Sequence, residues 1–223
     1  MRRQLELADQ WCRAAVERSR AAGDRRDEGR ALVELASTLL AAQATDEAAE
    51  AAREATHILG RRGDRRSLVH AYGTLATIEV DRGNFDDAEA AAARAVELAT
   101  FVGDRRAEGL YLGMRGASLH GRGRLLDARE HYAQGARVLL DAGEDAHGAF
   151  FQGALGAVYA ALDDLDDAQR AFHVAKRRLS GADAPALAAG VGLFHAAYEV
   201  AKAGQTPARR AALEALRRSL EAA

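Results

Sequence analysis

Cysteine occurs once, at Cys12, so no disulfide can form within the chain, and a reducing compartment suits it. Proline occurs twice, at Pro185 and Pro207, and both can open a helix, where the missing N–H costs nothing. Aromatic residues make up only 5% of the chain, which suits a thick sheet core poorly. Lysine is confined to Lys176 and Lys202, so nearly all positive charge is arginine, as in GC-rich bacterial coding. Neither sign of charge is in excess: the net charge is −2, without the basic surplus that a nucleic-acid partner would require. Long apolar runs and an opening signal peptide are lacking as well. The expectation is a cytoplasmic protein with neither a membrane nor a nucleic acid as partner.

What the chain has in quantity is alanine, and a period. Gly-Asp-Arg-Arg recurs at Gly23–Arg26, Gly63–Arg66 and Gly103–Arg106, and Gly143-Glu144-Asp145 is a degenerate fourth copy at the same 40-residue interval. Three columns of small residues share that register. Ala8, Ala48, Ala88, Ala128, Ala168 and Ala208 form the first. Ala15, Ala55, Ala95, Gly135, Ala175 and Ala215 form the second; Ala36, Ala76, Gly116, Gly156 and Ala196 form the third.

Each period reads as two helices. Leu68, Tyr72, Leu75 and Ala76 recur at three-to-four spacing, Gly83-Asn84 interrupts, and Ala88, Ala92, Ala95 and Val96 resume on a second stripe. Gly103 suits the left-handed residue that stops one helix, and Asp104 suits the N-cap of the next. The arginines that follow are expected to be solvated, since cations gain nothing from a helix N-terminus. The segments are therefore 1–22 as the second helix of a truncated or capping repeat, then repeats at 23–62, 63–102, 103–142, 143–182 and 183–223, the last carrying a capping helix from Pro207 to about Glu221. Its register is irregular: Gly181 comes early and Gly204 late. The fold class is all-α, a right-handed helical-repeat solenoid of antiparallel pairs with about eleven helices.

Tyr72, Leu75, Ala76, Gly83, Phe85, Ala88 and Ala95 resemble the signature of the tetratricopeptide repeat family, as do Leu112, Gly116, Gly123, Leu125, Ala128, Tyr132 and Gly135. Leu155, Gly156, Tyr159, Leu165, Ala168, Phe172 and Ala175 offer a third match. The period is longer than that family's, and the usual proline after the second helix is absent; similar long arrays occur within large bacterial signalling proteins. The resemblance implies a non-catalytic scaffold that binds a protein or peptide on its first-helix face. Carried over residue by residue, that face comprises Arg30, Val33, Ser37, His70, Gly73, Thr77, Leu110, Gly113, Ala117, His120, Phe150, Gly153, Ala157 and Leu193. Gly73, Gly113 and Gly153 align, serving either close packing between first helices or a smooth floor for a bound segment.

Arg115 and His195 stand where Leu35, Leu75 and Leu155 stand elsewhere; a local ion pair is the expected role of Arg115, and an anion contact the alternative. No catalytic residue, cofactor or metal is expected. The histidines lack metal-ligand spacing, and Asp163, Asp164, Asp166 and Asp167 sit where a helix N-terminus favours negative charge. Cys12 reads as a core residue. End-to-end self-association and a small-ligand sensor built on Phe150, His120 and Arg115 are the competing functions.

Overall fold

The computed structural model describes residues 2–203 and 218; the proposed helix from Pro207, with Ala208 and Ala215, lies outside the described residues. Ten helices are described: α1 (Arg2–Ala21), α2 (Arg25–Ala41), α3 (Thr45–Arg62), α4 (Arg65–Asp81), α5 (Phe85–Val102), α6 (Arg105–Gly121), α7 (Leu125–Asp141), α8 (Asp145–Ala161), α9 (Leu165–Leu179) and α10 (Pro185–Lys202). Among the described residues there is no strand, and the fold is all-α. First helices begin at Arg25, Arg65, Arg105, Asp145 and Pro185, forty residues apart to the residue. No helix among the described residues is long and apolar enough to cross a membrane.

The helix boundaries follow from the turn chemistry. Gly23, Gly63, Gly83, Gly103, Gly123 and Gly143 all have positive φ, as do Gln43 and Asp163. These eight left-handed residues fall every twenty positions and stop each helix from α1 to α8. At Gly63 the geometry is a closed C-cap: φ is +67°, and the Gly63 N–H donates to the carbonyl of Gly60. Aspartates then start the next helices. Asp24 accepts from the Arg26 and Asp27 N–H groups, Asp64 from Ser67, Asp104 from Ala107 and Asp164 from Asp167. The acidic run at 163–167 thus supplies one left-handed turn residue, one N-cap and a negative first turn.

The chain divides into two compact units, Met1–Met114 and Arg115–Ala223, with the division inside α6. In the first unit α2 packs antiparallel on α3, with Gly29 near the start of α2 lying against Leu59 near the end of α3. Ala48, Ala88, Ala55 and Ala95 are all fully buried, as are Ala36 and Ala76. In the second unit Ala128, Ala168 and Ala175 are likewise fully buried, while Gly116 and Gly156 lie against the rings of Tyr132 and Phe172. An alanine or glycine at these crossings lets the backbones approach. On α1 the equivalent Ala8, Cys12 and Ala15 are only half-buried, and Trp11 is 75% exposed. Cys12 places its sulfur 3.7 Å from the Thr38 hydroxyl.

Candidate partner-binding face

The residues carried over to the first-helix face divide by accessibility. In the first unit Arg30, Ser37 and His70 are exposed, and Thr77 and Leu110 are half-buried. Ser37 and Thr77 turn their hydroxyls back to the carbonyls of Val33 and Gly73, each at 3.1 Å, and so present a satisfied, small surface. Val33, Gly73 and Gly113 are buried, as is Gly153 in the second unit, so these four offer little surface to a partner. Of the two expected roles of the aligned glycines, close packing and a groove floor, the burial of Gly73 and Gly153 favours the first. A Cβ on Gly73 would clash with the hydroxyl end of the Tyr111 ring, and one on Gly153 would lie 2.8 Å from Val191. Close packing between neighbouring first helices is the reading the geometry carries at both positions.

In the second unit Ala117, His120, Phe150, Ala157, Leu193 and Arg115 are half-buried. His120 stands edge-on to Tyr132 with ring centroids 6.2 Å apart, and Phe150 packs on Phe151 and Phe194 at 5.5 and 5.7 Å. Burial disfavours the imidazolium of His120 and lowers its pKa. His195 lies between Phe172 and Tyr198, and burial, with Lys176 adding to it, lowers its pKa as well. Tyr198 is itself buried, with Lys202 over its ring. The concentration of aromatic rings in this unit was not expected from the sequence, where the residues lie scattered over some eighty positions and meet only through the repeat register.

The Gly-Asp-Arg-Arg arginines are not simply solvated, which corrects a second expectation. Arg26 reaches across a whole repeat to the N-cap Asp64, its Nε donating at 2.7 Å, and Arg30 adds a 3.1 Å ion pair to the same carboxylate. Arg26 chiefly, with Ser67 helping against the opposing effect of burial, holds the Asp64 pKa down at about 2. Arg25 and Arg20 both bind Glu28, a carboxylate with no exposed side-chain surface. Burial by itself would raise the Glu28 pKa; the two guanidiniums outweigh it, and the net shift is downward. Arg65 instead lies 4.3 Å over the ring of Phe101. The missed signal was in the numbering: Arg26 and Asp64 belong to successive copies of one string. Among the described residues no group of three or more His, Cys, Asp or Glu side chains is placed to hold a metal ion.

No family model matches the chain, and no curated protein matches it in sequence. Solved structures do match. BtubC from P. vanneervenii superposes with a TM-score of 0.73 at 19% identity, covering 98% of this chain and 91% of that one. A Rap protein complexed with competence and sporulation factor gives 0.70 at 15% identity over 97% of this chain, and aspartyl phosphate phosphatase F from Bacillus subtilis gives 0.73 at 15% over 89%. The fold is a helical repeat. The chain spans 60% of the Rap protein and 51% of the phosphatase, and at these identities the likeness is one of fold.

Proposed function

We propose that the chain is a non-catalytic, tetratricopeptide-like scaffold that binds a protein or peptide segment on the accessible residues of its first helices, as part of a bacterial regulatory protein. The observation that carries this reading is the surface the repeat leaves open. Ser37 and Thr77 in the first unit are small, accessible side chains at one repeat position, and Ala117 and Ala157 hold that position in the second. Larger side chains stand seven residues earlier on each of these helices: Arg30, His70 and Leu110 in the first unit, and Phe150 in the second. Small side chains between larger ones let a segment approach the helices closely while its own side chains find neighbours. One neighbour in fold was crystallised with a bound factor, which supports a binding role without identifying what binds here.

Photo-cross-linking tests the face. A benzoylphenylalanine placed at Thr77 is expected to capture a bound segment, whereas one at the exposed Glu97 on the second-helix side is not. Equal capture at both positions would overturn the assignment.

A second reading, self-association, is favoured by α1, where Leu7 and Trp11 are 48% and 75% exposed one turn apart. Light scattering that finds a concentration-dependent dimer, lost in Trp11→Ala, is its expected result.

A further inference from the structure

We propose that the cleft between the start of α2 and the end of α3 binds a phosphoryl dianion. The cleft has a volume of about 430 Å³ and is lined by Arg25, His57, Ile58, Arg61 and Arg62, with no carboxylate in its wall. Three guanidiniums and an imidazole therefore face one space. Arg25 is engaged by Glu28 beneath it. Arg61, Arg62 and His57 have no ion-pair or hydrogen-bond partner among the described residues, and all three are exposed.

The protein contains its own control. Forty residues on, the positions of Arg25, His57, Arg61 and Arg62 are held by Arg65, Glu97, Phe101 and Val102. There the arginine is covered by the Phe101 ring, and the acidic Glu97 pairs with Arg94. The same backbone thus packs stably with one cation, one aromatic cover and one anion. In the first repeat the aromatic is replaced by Arg61 and the acid by His57. The C-terminal dipole of α3 favours a cation at Arg61 or Arg62, and Glu28 holds Arg25, but neither gives a reason for all of them to face one space with His57. An anion does.

A phosphoryl group fits this set better than a carboxylate. It carries nearly twice the charge at neutral pH and offers three acceptor oxygens, and planar guanidinium forks are suited to such oxygens. A concave, single-sign wall also concentrates counter-charge before contact. The cleft is larger than a bare ion requires, leaving space for what the phosphoryl group is attached to. This site is separate from the first-helix face, so neither proposal depends on the other.

Isothermal titration at low ionic strength tests it, with a phosphoserine hexapeptide, its unphosphorylated twin and inorganic phosphate as probes. The phosphoserine peptide is expected to bind, the twin not to, and inorganic phosphate to compete; binding of inorganic phosphate alone would assign a free anion as the source. Arg61→Gln combined with Arg62→Gln is expected to weaken binding by about tenfold or more per guanidinium removed. Arg61→Phe installs the cover found in the next repeat, and should abolish binding while leaving the melting temperature unchanged or raised. Absence of heat with both phosphorylated probes, equal binding of the two peptides, or unchanged affinity in a double variant with wild-type ellipticity would each overturn the proposal.

Discussion

Gln43 has a φ of +63° in a turn where most of its counterparts are glycine. An L-residue there brings its Cβ close to the backbone, a cost of about 1–2 kcal/mol that glycine avoids, offset in part by the entropy glycine loses on folding. Gln43→Gly is therefore expected to stabilise the protein by about 0.5–1 kcal/mol, read as a higher urea midpoint at unchanged slope. An unaltered or lower midpoint would mean that the Gln43 side chain contributes something its exposure does not reveal. Asp163 shares the conformation but is followed by the N-cap Asp164, so the two effects would not separate there. Gln43 is the cleaner test.

At the scale of helix pairs, the repeats keep volume rather than identity. Near the start of a first helix, Gly29 faces Leu59, whereas one repeat later Val69 shares a buried cluster with Ala99. At the helix crossing Ala76 clusters with Ala92, but Gly116 faces Tyr132 and Gly156 faces Phe172. Between first helices Val33 clusters with Ala71, but Gly73 faces Tyr111 and Gly153 faces Val191. Except where Ala76 meets Ala92, a large side chain on one helix is matched by a small one opposite, as dense packing demands. Transplanting the second pair into the first repeat tests this. Gly29→Val should cost about 1–3 kcal/mol through overpacking, since even a Cβ there would lie 2.7 Å from Leu59, and Leu59→Ala about 2–5 kcal/mol through a cavity. The double variant should recover at least about 1 kcal/mol of their sum. Strict additivity would show that the two sites do not share the space.

For the whole chain the charge states set how stability varies with pH. Asp64 has its pKa lowered from 3.8 to about 2, so its contribution is complete above about pH 4 and is lost as pH falls toward 2. His120 and His195 act in the same sense at higher pH: burial lowers the pKa of each from 6.5, so the unfolded chain takes up their protons first. Stability therefore begins to fall as pH drops below about 6.5, well before Asp64 titrates. Thermal melts across pH should show both limbs, with His120→Leu flattening the upper limb and Asp64→Asn the lower. A melting temperature constant from pH 7 down to 5 would contradict the half-buried placement of both rings.

Period, helix starts and small columns were legible because each is repeated in the sequence and depends on local geometry. The fate of Gly73 and Gly153 was not, because what fills the space above them, Tyr111 and Val191, lies thirty-eight positions away and differs from repeat to repeat. The Arg26–Asp64 link escaped notice for the same reason. The cationic cleft becomes visible only when Arg61 is set against Phe101. The even spacing of first-helix starts has a consequence for how such a chain can change its length. Duplicating residues 65–104 in frame would hand the new junction the same cap and the same turn as the old one. An insertion that is not a whole repeat would instead turn everything after it by about 100° per residue. Growth of this molecule is quantised, and the quantum is one repeat.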